Sequence, residues 1–266
     1  MSANDVRPNA RLRTYKAEAL VLRASNLGEA DRVVTFFSPT LGKFRATVRG
    51  ARRTTSRLGG HVDVLNRVQL AVAQGRTLDV VTNAEAQETF RQVKENLDLV
   101  VHALYLAELT EALVPELAPH PRSYNILLSS LRALGADVQS STILRYSELR
   151  LLEDAGYMPQ LSQCVNCGGN IMPNKHKFAP ILGGVVCSKC FLSLGALHPL
   201  SVNALKVLRF FANSHLDRAQ GLAIPKDLEA ELERLLSAAI SHVLEKDLTT
   251  GSFAALVRRI TPESNE

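Results

Sequence analysis

The sequence predicts an α+β chain of several domains, with an N-terminal β-barrel, a helical domain and a small four-cysteine metal-binding module inserted among the helices. Three observations carry this. Short β-rich runs separated by turn residues fill the first part of the chain, helical apolar periodicity takes over after Thr82, and two C-x2-C pairs interrupt the helical pattern. With 266 residues, 46% of them hydrophobic, the chain can bury a main core and at least one satellite.

The β-rich runs are Ala17 to Ala24, Arg32 to Ser38, Lys43 to Gly50, Val64 to Ala73 and Leu78 to Thr82. Leu27-Gly28, Pro39-Thr40-Leu41-Gly42, Gly59-Gly60 and Gln74-Gly75 punctuate them. Some five strands at this spacing predict a small antiparallel barrel or sandwich, and an OB-type barrel leads. In Lys43 to Arg49 the residues alternate, so Phe44, Ala46 and Val48 should face inward while Lys43, Arg45 and Arg49 face out.

Beyond Thr82 the apolar stretch from Leu97 to Val114 stops before Pro115 and reads as a buried helix. Helices follow at Ser123 to Leu134 and at Thr142 to Ala155, the latter closed by Gly156. After the cysteines come Ser201 to His215 and the amphipathic Lys226 to Lys246, which puts Leu228, Leu232, Leu235, Ala239 and Val243 on one stripe. A last short helix, Ser252 to Ile260, precedes a polar tail. The domain reading is therefore 1–82 for the barrel, 83–156 with 200–260 for the helical domain, 157–199 for the metal module and 261–266 for a flexible tail.

Charge is unevenly distributed. Residues 1–76 hold 14 Lys/Arg against 5 Asp/Glu, while the remainder hold 17 against 21, for a chain total of +5. A field concentrated at one end steers polyanions in a way that the modest total does not. Arg32, Lys43, Arg45, Arg49, Arg52, Arg53 and Arg57 lie within the expected barrel and the Gly50 to Gly60 loop. Long cations on a sheet face and a flexible loop suit phosphate contacts. Tyr15, Phe36, Phe37 and Phe44 are the only nearby platforms for base stacking, so binding governed by backbone charge is expected.

Cys164-Val165-Asn166-Cys167 and Cys187-Ser188-Lys189-Cys190 stand 19 residues apart, the spacing of a four-thiolate zinc site. Two residues between sulfurs let one tight turn present both to a tetrahedral ion, and Gly168 supplies the permissive backbone that such a knuckle favours. Four sulfurs leave no open position for water. The metal, one Zn2+ per chain, would be structural, and its gross binding free energy of about 10 to 16 kcal/mol would act as folding energy. A dithiol redox pair or an iron–sulfur cluster needs no duplicated knuckle. His176 and His198 lie near, but the cysteines already complete the shell, and Lys175, His176 and Lys177 read as a solvated loop tip.

Enzyme signatures are missing: no G-x-x-x-x-G-K-[ST] loop, G-x-G-x-x-G fingerprint, G-x-S-x-G elbow or H-E-x-x-H pair occurs. Carboxylates such as Glu29 with Asp31 or Glu108 with Glu111 read as solvated or capping groups, so no catalytic residue is expected. No apolar run is long enough to span a bilayer, Met1 to Arg13 lacks the apolar segment of a signal peptide, and a cytoplasmic protein is expected.

Asn26-Leu27-Gly28-Glu29-Ala30-Asp31-Arg32-Val33-Val34-Thr35-Phe36-Phe37, with Gly42-Lys43-Phe44-Arg45 and Val48-Arg49-Gly50-Ala51-Arg52-Arg53, resembles the N-terminal signature of the RecO family of bacterial recombination mediators. The resemblance runs through the whole chain. It implies an N-terminal OB-fold, a helical domain and a zinc module that together bind single- and double-stranded DNA and anneal complementary strands without ATP. It further implies RecR and the acidic C-terminal tail of single-stranded-DNA-binding protein as partners, with RecA loaded onto gapped DNA, and no membrane or nucleotide cofactor. By position it gives the same seven cations as DNA contacts. Two departures stand out: Leu65-Asn66-Arg67 occupies the place of a frequent Pro-Phe pair, and Trp is absent. The alternative reading is a zinc-stabilised interaction scaffold in which Arg132, Arg145 or Arg209, beside an apolar helical groove, takes an acidic peptide.

Overall fold

The computed structural model describes residues 14–136, 139–172, 176–190, 197–245, 248 and 250. The expected helix Ser252 to Ile260, the 261–266 tail and Lys175 lie outside the described residues. Five strands open the fold: β1 (Thr14–Leu27), β2 (Asp31–Ser38), β3 (Gly42–Val48), β4 (Arg67–Ala73) and β5 (Asp79–Glu88). They close into a barrel in the order β1-β2-β3-β5-β4, an OB-type arrangement, in which β3 and β5 pair in parallel and the other neighbours run antiparallel.

Alternation sets the barrel interior. Ala19, Val21, Val34, Phe36, Phe44, Ala46, Val48, Val68, Leu70 and Val72 form one buried cluster, as the period of two requires. The intervening outward residues Leu20 and Phe37, with Leu22 and Leu65, instead join a second cluster shared with the helices and the metal module. The rings of Phe37 and Tyr124 meet edge to face at 5.7 Å. Phe36 and Phe37, adjacent in sequence, therefore serve the two cores from opposite faces of one strand.

The fourth and fifth strands differ from the expected spans. β4 begins at Arg67 because Leu65 takes a left-handed backbone at φ 72°, which no strand continues through. The Leu65-Asn66-Arg67 departure has structural work in consequence. Asn66 is buried and its amide donates to the carbonyls of Gly60 and His61 at 3.2 and 2.9 Å, while Arg67 becomes the centre of an ion-pair network. β5 runs past Thr82 to Glu88, since its pairing with β4 continues to Arg67↔Glu88.

Helices follow: α1 (Arg91–Glu95), α2 (Leu97–Leu113), α3 (Pro121–Leu134), α4 (Ser140–Asp154), α5 (Val202–Asn213), α6 (Leu216–Ala219) and α7 (Lys226–Leu244). Asn96 caps α2 by accepting from the amides of Asp98 and Leu99. Pro121 opens α3. The α7 stripe buries Leu232, Leu235 and Ala239, with Leu228 and Val243 packed at its ends.

Between α4 and α5 the metal module carries β6 (His176–Ala179), β7 (Gly184–Val186) and β8 (His198–Leu200), in sheet order β7-β6-β8, with a 3-10 turn at Pro180–Leu182. Those strands are too short to show periodicity in sequence. His176 is not at a solvated tip; it is buried on β6, with its Nε2 against the Met172 carbonyl.

Five groups join the barrel to the helices. Arg67 donates to Glu18 at 3.0 Å and to Glu88 at 2.7 Å, Arg132 donates through Nε to Glu88 at 2.8 Å, and the Tyr124 hydroxyl donates to Glu18 at 2.8 Å. Hydrogen bonds from Arg132 and then Arg67 hold the Glu88 carboxyl down at about 2, against the opposing effect of burial. The Arg67 hydrogen bond likewise lowers Glu18.

Candidate nucleic-acid interface and metal centre

The seven cations expected to meet DNA separate into two groups. Arg49 follows β3, Arg52, Arg53 and Arg57 lie in the 50–60 loop, and Arg32 opens β2 opposite Val48, so these five gather at one end of the barrel. Arg49, Arg52, Arg53 and Arg57 are exposed. Arg32 keeps the register of Val34 and Phe36 and so sits at the barrel rim, not on the outer face with Arg45.

The loop that carries three of them is an ordered cap. Gly50 donates its N–H to Asp31 Oδ1 at 2.8 Å, the Arg52 amide donates to the Ala30 carbonyl at 2.9 Å, and Arg52 Nη1 donates to the Gly28 carbonyl at 2.8 Å. Ala51 and Val62 are buried in the barrel core, and Leu58 packs against it. Turn and loop thus hold one another, which replaces the expected flexible loop with a fixed platform.

Lys43 and Arg45 lie at the other end of β3, beside the helices. The Lys43 ammonium donates to the Glu111 carbonyl at 2.6 Å, in the last turn of α2, where a cation complements the helix C-terminus. Leu117 N–H donates to the Lys43 carbonyl at 2.9 Å, and a Cβ on Gly42 would come within 2.1 Å of the Ala118 carbonyl oxygen. Lys43 therefore ties the barrel to the helices. Arg45 sits 3.8 Å from Glu116, both side chains more than half exposed at 56% and 59%, so this pair is weak.

Of the three arginines expected to take an acidic peptide, Arg145 and Arg209 are held inside the fold, whereas Arg132 is exposed. Arg145 is 4% exposed and lies 3.1 Å from the Glu148 carboxylate, inside the helical core. Arg209 donates to the Leu161 carbonyl at 3.0 and 2.6 Å and to the Ile171 carbonyl at 3.3 Å, clamping the module onto α5. Arg132 is engaged with Glu88, as above. Helical periodicity identifies which face a residue takes but not what that face meets, and so these roles were invisible in sequence.

The four cysteines converge. One sulfur from each of Cys164, Cys167, Cys187 and Cys190 lies within 4.8 Å of every other. Cys167 and Cys187 are 3.8 Å apart, the sulfur separation that a tetrahedral ion with bonds of ~2.3 Å requires. The first knuckle is closed by Gly168 N–H to the Cys164 carbonyl and by Cys164 N–H to the Gly169 carbonyl, both 2.8 Å, with Gly168 at φ 72°. The second is closed by Cys190 N–H to the Cys187 carbonyl at 3.0 Å.

Burial pushes the Cys164 thiol up, but backbone donors from Cys187, Cys167 and Asn166 outweigh it and bring the group to about 6. The Asn166 side chain lowers Cys190, yet neighbouring thiols, led by Cys167 and Cys187, push it up to about 11. Cys164 is thus the sulfur that ionises readily, and Cys190 the one held protonated by its neighbours. That donor set fits a metal ion, and an all-protein shell of four sulfurs leaves it no substrate position.

Comparison with known proteins covers nearly the whole chain. The model of the recombination protein O N-terminal region matches residues 12–90 and that of the recombination protein O C-terminal region matches residues 94–251. A DNA repair protein RecO of Roseiflexus sp. is 38% identical over 95% of this chain and 89% of its own. Proteins of the same name from Dehalococcoides mccartyi and Symbiobacterium thermophilum are 33% and 35% identical over 88% and 92% of this chain, and 92% and 98% of theirs.

Proposed function

The chain belongs to the RecO family, and from that premise we propose that it is a DNA-binding recombination mediator in DNA repair. It binds single- and double-stranded DNA, anneals complementary strands without ATP and, with RecR, helps load RecA onto DNA coated by single-stranded-DNA-binding protein. The observation that carries this reading is the cluster of five arginines on the pinned barrel end.

The mechanism is electrostatic. Arginines fixed on one rigid platform lower the phosphate repulsion between two strands and raise their local concentration until base pairing takes over. Little ordering entropy is spent at the loop, because Asp31, Ala30 and Gly28 already hold it. No buried base pocket is needed: Phe36, Phe37 and Phe44 are buried, which supports backbone contact with weak sequence preference. No step calls for a catalytic group.

A structural Zn2+, one per chain, on Cys164, Cys167, Cys187 and Cys190 belongs to the same reading. When bound it supplies charge neutralisation and cross-linking. The chain's own residues do the rest: Asn166 and the Cys187 amide orient sulfurs, and Arg209 joins the module to α5. No helix among the described residues is long and apolar enough to cross a membrane. We place the protein in the cytoplasm, with the nucleoid.

The test is the annealing rate of two complementary oligonucleotides without ATP, bare or coated with single-stranded-DNA-binding protein. Acceleration that fades as salt rises is expected. No acceleration and no DNA binding at low salt would remove the mediator reading.

A further inference from the structure

The four sulfurs of the metal module are not equally reachable. Cys164 is 2% exposed, and its sulfur accepts from the Cys187 N–H at 3.4 Å. Cys187 and Cys190 are half-buried, and the Asn166 side chain engages Cys190. Cys167 is exposed. Gly168 and Gly169 follow it and put no side chain over its sulfur, although a Cβ on Gly169 would lie 3.5 Å from that atom. The Cys187 sulfur stands 3.8 Å from it, on the other knuckle and 20 residues along the chain. The one sulfur open to solvent therefore has a second sulfur beside it. No Asp or Glu occurs between positions 155 and 216, so no carboxylate of the module can take over an ion that the sulfurs release.

We infer that Cys167 is an oxidation site, at which a hydroperoxide such as H2O2 converts Cys167 and Cys187 into a disulfide and so unloads the metal. The inference rests on the proposed metal site. In the first step the Cys167 thiolate attacks one peroxide oxygen: the S–O bond forms, the O–O bond breaks, and the departing hydroxide takes a proton to become water. The Cys187 thiolate then attacks the sulfenic sulfur of Cys167. The S–S bond forms, the S–O bond breaks, and the second hydroxide leaves as water with another proton. Two thiolates, one peroxide and two protons thus give one disulfide and two waters. Each sulfur gives up one electron, and the peroxide takes both.

Cys164 and Cys190 alone cannot fill a tetrahedral shell, so the ion departs. The module stays attached. Leu161, Cys164, Ile171 and Phe178 belong to the cluster shared with the helices, and Arg209 donates to the Leu161 and Ile171 carbonyls at 2.6 and 3.3 Å without using a sulfur. The disulfide joins the same two knuckles that the ion joined. Oxidation therefore exchanges one cross-link for another, and a thiol reductant with fresh metal reverses it. The 50–60 loop, anchored in the barrel core, takes no part.

The experiment treats the full, metal-loaded chain with a graded series of H2O2, follows released ion with a chromophoric chelator, then blocks the remaining thiols and maps tryptic peptides. Cleavage after Arg150, Lys175, Lys177, Lys189 and Lys206 puts Cys164 and Cys167 in one peptide, Cys187 in a second and Cys190 in a third. Fragmentation of the first peptide separates Cys164 from Cys167. A Cys167–Cys187 cross-link should accumulate in step with the ion, one disulfide for each ion lost, and dithiothreitol with Zn2+ should restore the full metal content. A first product linking Cys164 to Cys167 or Cys187 to Cys190, or sulfinic acid at Cys167 with no link, would overturn the pairing. A chain still reduced and metal-loaded at the highest dose would overturn the oxidation site. If no ion is present before oxidant is added, the metal reading fails separately; the same cross-link in that reduced chain would uphold the thiol pairing, and its absence would end it.

Discussion

Removing the Arg53 and Arg57 side chains tests the barrel-end platform most directly. Both are exposed; Arg53 holds the loop through its backbone, its N–H donating to the Gly50 carbonyl and its carbonyl accepting from Ser56, so alanine leaves the cap intact. If each of the five barrel-end arginines neutralises one phosphate of a single strand, their joint salt slope is about 3.5. A rise from about 50 to 200 mM salt then weakens binding by about 130-fold. The double variant keeps a slope of about 2.1 from these residues, an 18-fold loss over the same range by the ~0.7-per-contact rule, and binds about 25-fold more weakly at 0.1 M. Further contacts along the outer face would steepen both curves but leave the difference of about 1.4 unchanged. Anisotropy titrations at five or so salt concentrations give the slope. An unchanged slope, with the protein folded, would place the DNA surface elsewhere on the molecule.

The metal module should depend on its sulfurs: Cys164→Ser removes the buried thiol that accepts the Cys187 N–H, so metal content by mass spectrometry should fall well below one ion per chain and the melting temperature should drop. Acidification should release the ion too, because the thiolates must be deprotonated to bind it, and retention of metal in Cys164→Ser would contradict the four-sulfur shell. Replacing Arg209 with Met leaves the Leu161 and Ile171 carbonyls without their donor, at a cost of about 1–3 kcal/mol; limited proteolysis should then cut within 157–199 sooner, and equal resistance would argue against the clamp. The Glu88 carboxyl is depressed from 4.5 to about 2, so its stabilising contribution is complete above pH 4.5 and is lost as pH falls towards 2. Arg132→Ala should raise that value and flatten the acid arm of a melting-temperature profile, with a neutral-pH loss of about 1 kcal/mol once solvent screening is allowed for. A profile parallel to the parent's would remove Arg132 from the network.

Local chemistry explains what the sequence made legible. Strand alternation around Phe44, Ala46 and Val48 is a property of neighbouring residues, and it placed the barrel interior correctly. The cysteine spacing carried the convergence of four sulfurs for the same reason: each knuckle is a single turn. What was hidden is long-range. Lys43 looked like one of three equivalent cations on a strand until α2 brought the Glu111 carbonyl to its ammonium. Arg145 is polar in sequence and buried in fact, because Glu148 lies one turn along α4 to pair with it. Arg23 follows an apolar run that reads as uninterrupted strand, and a one-residue bulge decides its face. No periodicity in one sequence reports a bulge.

Two apolar clusters, not one, govern how damage would spread. The barrel interior holds Phe36, Phe44, Ala51 and Val62 and thereby fixes the loop that carries Arg52, Arg53 and Arg57. The larger cluster runs from Phe37 and Leu65 on the barrel exterior, through Tyr124 and Leu149, to Cys164 and Phe178 in the module. Loss of a metal ion held by the four sulfurs would act on the second cluster first, since Cys164 is part of it. The 50–60 loop is anchored in the other cluster and to the β1–β2 turn, so it has no direct dependence on the sulfurs. Phe37 and Phe36 are where the two meet, back to back on β2. A lesion there, unlike one at Cys164, opens both cores at once, and so the attachment of barrel to helices at β2 couples the charged platform to the rest of the molecule.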